Sequence, residues 1–259
     1  MTIEVNAATI YYEQQGEGKP LLLLHGWGLS GETMAPIARD FSAQRRVISL
    51  DFPGHGHSPE PPAPWSVTEY MEATAGLIRK LGIAPCDIVA HSFGGRVAIL
   101  LSATYPELVR RMILTGCAGL IAPVDAQKQK KRSAYQRLRR LADNALTRKI
   151  LGDKRVEAMR EALVQKYGSP DYRVLTPSMR KTFNRVIAQD LRPYLNRIQA
   201  STLLVWGRED AQTPLWMGQV MEKEIPDAGL VVFDGVGHYA FLERYGEFRL
   251  IAGKFLLDA

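Results

Sequence analysis

The fold is decided by one stretch of sequence, Ile88-Val89-Ala90-His91-Ser92-Phe93-Gly94-Gly95. An apolar run that is typical of a buried strand leads directly into Ser92, and a helical pattern follows. This is the strand–turn–helix context of a nucleophile elbow. The turn is so tight that the residues two before and two after the serine must be small, and Ala90 and Gly94 meet that condition. We therefore predict that Ser92 is a nucleophile; an ordinary strand-to-helix turn with a capping serine is the alternative.

Strand-like runs alternate with helical patterns on both sides of this stretch. The predicted strands are Leu21–Leu24, Arg46–Leu50, Asp87–Ala90, Arg111–Thr115, Thr202–Trp206 and Leu230–Phe233. Continuous apolar runs of this length are typical of parallel strands that are buried on both faces. Their alternation with helices predicts an α/β fold with a mostly parallel, doubly wound sheet. The opening residues, Thr2–Gln15, predict one or two antiparallel edge strands.

One segment interrupts this alternation, because residues 117–195 show helical patterns without strands. Apolar stripes predict helices over Tyr135–Leu146 and Val156–Tyr167, and Thr176 followed by Pro177 predicts the start of a third, with the threonine as its N-cap. The chain is therefore predicted to consist of a core in two parts, residues 1–116 and 196–259, with a helical insertion between them.

The insertion also carries the chain's positive charge. Residues 117–195 contain 18 Lys and Arg against 7 Asp and Glu, a net charge of +11, whereas the rest of the chain has a net charge of −5. The sequence shows no zinc-finger spacing, aromatic-basic RNA motif or basic region with heptads, so no nucleic-acid partner is predicted. A solvated outer face explains the charge most simply, and attraction of anionic substrates is the alternative.

The composition indicates an ordinary globular protein. The chain has 259 residues, of which 46% are hydrophobic and 23% charged. We see no signal peptide and no apolar run near the roughly 20 residues that span a bilayer, so we expect a cytoplasmic protein without stable membrane insertion. Cys86 and Cys117 fall at opposite edges of the predicted sheet, which is too far for a disulfide, so both are predicted to be reduced.

A nucleophilic serine needs a base, and the five histidines leave one good candidate. His91 is adjacent to Ser92, and successive side chains at a sharp turn diverge. His25, His55 and His57 precede the serine in the chain. His238 lies on a glycine-containing loop after the last predicted strand, from which an imidazole could reach over the carboxyl edge of the sheet. We predict His238 as the base; a solvated loop histidine is the alternative.

The base in turn needs a carboxylate that fixes its tautomer and stabilises the imidazolium. Strand ends line the crevice of an open α/β sheet, and the strand Thr202–Trp206 is followed by Gly207-Arg208-Glu209-Asp210. We predict Asp210 for this role, with Glu209 as its rival. The strand after the elbow ends in Gly116-Cys117 and offers no acid.

The order Ser92, Asp210, His238 is the order of α/β-hydrolases. Together with four further motifs it makes the chain resemble that superfamily nearly end to end: His25-Gly26-Trp27-Gly28, Asp51-Phe52-Pro53-Gly54-His55-Gly56-His57-Ser58, Trp206-Gly207-Arg208-Glu209-Asp210 and Gly237-His238. The resemblance implies an α/β-hydrolase fold with residues 117–195 as a cap (lid). It also implies that the backbone N–H groups of Phe93 and Trp27 form the oxyanion hole.

Two other function classes are weighed against this one. Gly26-Trp27-Gly28-Leu29-Ser30-Gly31 matches the G-x-G-x-x-G pattern of dinucleotide-binding folds, and Asp51 lies where a ribose-binding acid would. The bulky Trp27 speaks against a nicotinamide-dependent oxidoreductase, which would also leave the three ordered residues unexplained. A non-catalytic ligand-binding protein on the same fold is disfavoured because all three are present. No cofactor is predicted, and no metal, because His55-Gly56-His57 alone cannot supply a tetrahedral site.

From the sequence we expect the protein to be a serine hydrolase that cleaves small or medium carboxylic esters through an acyl-enzyme. The resemblance also includes lactonases and hydrolases that break a carbon–carbon bond in ring-cleavage products, and the latter are the runner-up. Tyr239 follows His238 where many of those enzymes carry tryptophan, which ranks the ester first. The sequence names neither the acyl chain and alcohol nor the oligomeric state.

Overall fold

A computed structural model of the chain describes residues 1–121, 149, 152–168 and 170–257. These residues form two compact units, one consisting of Met1–Leu120 with Asn184–Ala259 and the other of Ile121–Phe183. The helix predicted over Tyr135–Leu146, with much of the basic charge, lies outside the described residues. The role of residues 117–195 as a cap stays a prediction.

The larger unit is built on one eight-stranded sheet. Its strands are β1 (Thr2–Val5), β2 (Ala8–Gln15), β3 (Pro20–Leu24), β4 (Arg46–Leu50), β5 (Cys86–His91), β6 (Val109–Thr115), β7 (Ser201–Gly207) and β8 (Ala228–Phe233). They lie in the order β1-β2-β4-β3-β5-β6-β7-β8. The pairs β1–β2 and β2–β4 are antiparallel, and all other neighbours are parallel. The predicted mostly parallel α/β sheet with an antiparallel edge is confirmed.

Helices cover both faces of this sheet. The helices of the larger unit are α1 (Ala35–Phe41), α2 (Val67–Lys80), α3 (Phe93–Thr104), α7 (Trp216–Glu224), α8 (Ala240–Glu243) and α9 (Tyr245–Leu257). The described helices α4 (Asp153–Tyr167) and α5 (Pro170–Arg173) belong to the smaller unit, and α6 (Pro177–Ala188) crosses the boundary between the two. No helix in the described part of the chain is long and apolar enough to cross a membrane.

The core lies in two apolar layers, one on each face of the sheet. Leu22 and Leu24 of β3 belong to one layer, and Leu21 and Leu23 belong to the other. Successive side chains of a strand point to opposite faces, so a strand with helices on both sides must be apolar throughout. This is why the predicted strands appear as continuous apolar runs rather than as alternating ones.

The structure departs from the predicted helices in two places. The final helix is divided into α8 and α9 at Arg244, whose φ of −117° and ψ of 43° are not helical. In α4 the buried residues are Val156 and Val164, whereas Met159 and Tyr167 of the predicted stripe are exposed. The N-cap of α6 is as predicted, because the Thr176 hydroxyl accepts a hydrogen bond from the Met179 amide at 3.2 Å.

Candidate active site

The elbow places Ser92 between β5 and α3, in a backbone conformation that residues with a side chain rarely adopt. Its φ is 50° and its ψ is −107°, which is outside the regions favoured by L-residues. The turn is held because the Ser92 amide donates to the Thr115 carbonyl at 3.0 Å, and the Ser92 carbonyl accepts from the amides of Gly95 and Ala118, each at 3.1 Å. Strained backbone that its surroundings hold in place is found preferentially at functional sites.

Gly94 shows why the residue two after the serine must be small. A Cβ atom on Gly94 would lie 2.4 Å from the Leu24 carbonyl oxygen and 2.8 Å from that of His25, closer than real contacts allow. The start of α3 therefore packs directly on the backbone at the end of β3. Any side chain here would push the elbow away from the sheet.

Two further strands deliver the other predicted residues to the same edge of the sheet. Asp210 follows β7, and His238 lies on the loop after β8. The His238 Nδ1 and Asp210 Oδ2 atoms are 2.8 Å apart, and both side chains are buried, with 6% and 0% exposure. Glu209 is exposed instead, so the structure brings Asp210 and not its neighbour to the imidazole.

The Asp210 carboxylate is saturated with donors. Its Oδ1 accepts the backbone amides of Gln212 and Thr213, each at 2.9 Å, and its Oδ2 accepts from the Thr213 hydroxyl at 2.7 Å as well as from His238. Burial by itself would raise the pKa of Asp210, but the hydrogen bonds from His238 and Thr213 outweigh it and hold that pKa below its ordinary value. Asp210 is therefore a carboxylate at neutral pH.

Ser92 makes no hydrogen bond to this pair in the described structure. Within the described residues the Ser92 hydroxyl makes no hydrogen bond. Two neighbours of the elbow do approach the pair: the His91 ring centroid is 4.7 Å from that of His238, and a Cβ on Gly116 would be 3.2 Å from His238 Nδ1. Hydrogen bonds between nucleophile and base are often long in ligand-free enzymes and tighten when substrate is present.

The loop after β3 brings Trp27 to the elbow. A Cβ on Gly26 would lie 3.5 Å from the Ser92 Cβ, so this loop leaves room for no more than about one carbon atom between its backbone and the nucleophile. The rings of Trp27 and Phe93 meet edge to face, with centroids 5.2 Å apart. The structure thus brings together the two residues whose amides are predicted to bind an oxyanion.

His25 fixes the orientation of the peptide that carries the Trp27 amide. Its Nε2 accepts from the Phe52 amide at 2.9 Å, so the ring hydrogen is on Nδ1, which donates to the Gly26 carbonyl at 2.7 Å. Burial lowers the pKa of His25 to about 3, and the ring therefore remains neutral. In a trans peptide the N–H points away from the C=O, so the Trp27 amide faces away from His25.

His91 is a buried neutral imidazole and not a second base. Its Nδ1 lies 3.1 Å from the Thr115 carbonyl oxygen, and its ring packs against the ring of His238. Burial, with a smaller contribution from His238, lowers the pKa of His91 to about 3. Its position supports the sequence argument that the residue next to the nucleophile is a poor base.

Asp51 joins the segments that follow β3 and β4. Its Oδ1 accepts the Gly31 amide at 2.6 Å and its Oδ2 accepts the His57 amide at 2.8 Å. The acid that the dinucleotide hypothesis would assign to a ribose is therefore occupied by its own chain. Among the described residues no group of three or more His, Cys, Asp or Glu side chains could hold a metal ion, and Cys86 and Cys117 are free and buried.

Comparison with known proteins decides the family. The family model described as alpha/beta hydrolase fold matches residues 19–245. The chain is 33% identical over 256 residues to the 2-hydroxymuconate semialdehyde hydrolase of Pseudomonas putida, covering 95% of this chain and 89% of that protein. The chain belongs to the α/β-hydrolase family.

Two further relatives show the range of this α/β-hydrolase's neighbours. The pimeloyl-[acyl-carrier protein] methyl ester esterase of Chromobacterium violaceum is 28% identical, covering 92% of this chain and 94% of that protein. The structure of the meta-cleavage product hydrolase from Pseudomonas fluorescens IP01 superposes with a TM-score of 0.73 and 26% identity, covering 100% of this chain and 97% of that one. The chain is accordingly a hydrolase, and the proteins similar to it include a semialdehyde hydrolase, a meta-cleavage product hydrolase and a methyl ester esterase.

Sequence reasoning missed two groups of this α/β-hydrolase site. The Thr213 hydroxyl contacts both Asp210 and His238, and the Gly116 carbonyl lies 2.9 Å from that hydroxyl. The Asp210-Ala211-Gln212-Thr213 spacing is a usable signal, because an aspartate often accepts backbone amides two and three residues onward in a turn. No feature of the sequence indicates that the Gly116 carbonyl contacts the Thr213 hydroxyl.

Proposed function

We propose that this protein hydrolyses a carbon–carbon bond in ring-cleavage products, with Ser92 as nucleophile, His238 as base and Asp210 as its orienting carboxylate. The observation that carries the proposal is the similarity to 2-hydroxymuconate semialdehyde hydrolase over 95% of the chain. The buried Asp210–His238 pair beside the elbow supports the residue roles. The sequence alone ranks ester hydrolysis above carbon–carbon bond hydrolysis, because Tyr239 follows His238 where many carbon–carbon bond hydrolases carry tryptophan. The proposal reverses that ranking.

The first half of the proposed reaction makes an acyl-enzyme. The Ser92 oxygen adds to the substrate carbonyl while His238 takes the hydroxyl proton, and the amides of Phe93 and Trp27 bind the oxyanion that forms. Before this addition the 2-hydroxydienoate tautomerises: the 2-hydroxyl proton moves to the carbon next to the attacked carbonyl, which becomes saturated, and a 2-oxo group forms. When the oxyanion collapses, the bond to that saturated carbon breaks and its electron pair leaves as an enolate conjugated with the 2-oxo group. His238 returns the proton to this enolate.

The second half releases the product acid. Water adds to the ester carbonyl of acylated Ser92 while His238 again accepts a proton, and collapse of the second oxyanion returns the proton to Ser92. Asp210 stabilises the imidazolium in both halves and does not itself take up a proton. An ester substrate would use the same groups, with an alkoxide in place of the enolate as the leaving group.

Ester hydrolysis is the second candidate function, and a specific observation favours it. The relatives include methyl ester esterases that align over 92% of this chain. Because both reactions use one set of groups, only the substrate can separate them.

The test compares kcat/KM for 2-hydroxy-6-oxohexa-2,4-dienoates with that for methyl esters of graded acyl length. We expect the best dienoate to exceed the best ester by at least about tenfold, which corresponds to about 1.4 kcal/mol of transition-state binding. The reverse ratio would make the protein an esterase.

The control variant is Ser92→Ala, which is expected to reduce turnover of every substrate by about 10⁶-fold and to abolish labelling by a fluorophosphonate. A folded Ser92→Ala protein that keeps a substantial part of its activity would refute the nucleophile for both candidate functions.

A further inference from the structure

One side chain that the proposed mechanism does not use touches both of its orienting residues. The Thr213 hydroxyl lies 2.7 Å from Asp210 Oδ2, 3.1 Å from His238 Nδ1 and 2.9 Å from the Gly116 carbonyl oxygen. The residue is 5% exposed, so water does not compete for these contacts. Three segments, which follow β6, β7 and β8, therefore converge on a single oxygen atom.

The hydrogen count determines which way these bonds run. Thr213 has one hydroxyl hydrogen and two oxygen acceptors, the Asp210 carboxylate and the Gly116 carbonyl. A charged acceptor forms the stronger hydrogen bond, and it is also the nearer one here, so the carboxylate takes the larger share of this hydrogen. The lone pairs of the hydroxyl then face the Nδ1 side of His238.

The position of the hydroxyl is fixed by other contacts of the same residue. The Trp206 Nε1 donates to the Thr213 carbonyl at 2.7 Å, and the Thr213 amide donates to Asp210 Oδ1 at 2.9 Å. Neither contact involves the side chain of Thr213. A substitution that changes only the hydroxyl should therefore leave the backbone of the turn in place.

We propose that Thr213 is a positioning residue of the hydrolytic site, whose hydroxyl aligns the Asp210 carboxylate on His238 and tempers its negative charge. The proposal rests on the roles given above to Asp210 and His238. Without the hydroxyl, Oδ2 keeps His238 as its one donor in the described structure, and the carboxylate loses one of the contacts that limit its rotation about the Cβ–Cγ bond. The base would then spend part of its time misaligned with the nucleophile.

The groups that face His238 limit what a pH profile can report. They are the Asp210 carboxylate, the Thr213 hydroxyl, and the rings of His91 and Tyr239, whose centroids lie 4.7 and 5.5 Å from that of His238. Burial keeps His91 neutral above its pKa of about 3. Loss of the Thr213 hydroxyl therefore acts on the profile through Asp210.

The test uses two variants of the full chain that separate the hydroxyl from the shape of the side chain. Thr213→Val keeps the branched shape and loses the hydroxyl, whereas Thr213→Ser keeps the hydroxyl and loses the methyl group. We expect Thr213→Val to lower kcat by about 10- to 100-fold with little change in KM, the scale of one hydrogen bond to a charged group. We expect Thr213→Ser to retain most of the activity.

The pH dependence of kcat/KM is the readout that a merely structural role would not move. A carboxylate with one donor fewer holds an imidazolium more tightly, so the acid limb of the Thr213→Val profile should move to higher pH. Thermal unfolding of each variant verifies that it is folded.

An active Thr213→Val protein with an unmoved profile, or a Ser variant that is the more impaired of the two, would overturn the proposal. Failure of the proposed function is seen separately, as a kcat/KM for methyl esters that exceeds that for dienoates, and failure of the proposed nucleophile is seen as residual activity of Ser92→Ala. An inactive Ser92→Ala protein together with a normal Thr213→Val protein would refute the role of Thr213 alone.

Discussion

Two buried carboxylates lie at opposite edges of the same parallel sheet and have partners of different kinds. Asp87, at the start of β5, pairs with the guanidinium groups of Arg45 and Arg110. Asp210, beyond the end of β7, pairs with the imidazole of His238 and the hydroxyl of Thr213. Both aspartate side chains are completely inaccessible. Burial of a carboxylate therefore does not by itself distinguish a reactive site from a structural one.

The difference lies in whether the partner can exchange a proton. An arginine stays protonated at every pH that a folded protein meets, so the charges around Asp87 are fixed. An imidazole gains and loses its proton near neutral pH, so the pair at Asp210 can carry out chemistry. Arg45 also donates to the carbonyls of Lys19, Pro20 and Leu256, which ties the last helix to the amino edge of the sheet.

The largest effect that separates the two edges is expected from Asp210→Asn. An amide can neither balance an imidazolium nor hold the ring in the productive tautomer, and we expect kcat to fall by about 10⁴-fold, the loss known for the equivalent change in a serine protease. The matched control is Glu209→Gln, which removes an exposed carboxylate one residue away and should change kcat little. A larger loss in the control than in Asp210→Asn would mean that the orienting acid has been misassigned.

The same comparison shows what the sequence can predict. Ser92, Asp210 and His238 can be predicted as one site because each follows a predicted strand, and carboxyl ends of parallel strands share one edge. The cluster at the other edge has no such signal, since Asp87 is 42 residues from Arg45 and 23 from Arg110. A charged residue at the start of a strand is unremarkable until the register places its partners beside it.

Side-chain periodicity has a similar limit in the smaller unit. It correctly predicts a helix at α4, but of the four apolar residues in the predicted stripe only Val156 is fully buried. A helical repeat shows that one face is apolar, while tertiary packing determines which residues are covered. The break between α8 and α9 is also invisible in the pattern, because the apolar residues keep helical spacing across it.

A second prediction concerns Asp87 and measures stability instead of turnover. Asp87→Asn leaves two guanidinium groups without their carboxylate in a buried site, and we expect the free energy of unfolding to fall by about 3–5 kcal/mol. The activity of the molecules that remain folded should be unchanged, because the cluster lies at the edge of the sheet away from Ser92. Urea unfolding and kcat measured on the same preparation test both halves.

Asp234→Asn is the control for this prediction. It removes a surface ion pair in which the side chain of Asp234 is 76% exposed and that of Arg208 is 56% exposed. Because water screens such pairs, the free energy of unfolding should change little. Equal losses of unfolding free energy in Asp87→Asn and Asp234→Asn would show that the buried Asp87 cluster stabilises the protein no more than an exposed ion pair does.

The smallest expected effect is on how stability depends on pH, and it arises at the carboxyl edge of the sheet, where the candidate active site lies. Besides His238, three buried histidines of the described residues lie there, and burial lowers the pKa of His25 and of His91 to about 3 and that of His55 to about 4. In the unfolded chain a histidine has a pKa of about 6.5. Below that pH the unfolded state takes up protons that the folded state refuses, so stability falls as the pH falls from about 6.5 towards 4, whereas the arginines of the opposite edge do not titrate.

Each of these histidines should contribute a slope of about 1.4 kcal/mol per pH unit within that window. His91→Gln removes one titrating ring and keeps a donor for the Thr115 carbonyl, so we expect the slope of unfolding free energy against pH to fall by about that amount between pH 5 and 6. The slope is the readout, since the packing lost with the ring shifts the whole curve but does not tilt it. The charged and titratable groups near the ring are His238, Tyr239, Asp210 and His25. An unchanged slope would mean that His91 takes up its proton in the folded protein, and the site's edge would then hold one fewer neutral imidazole than burial implies.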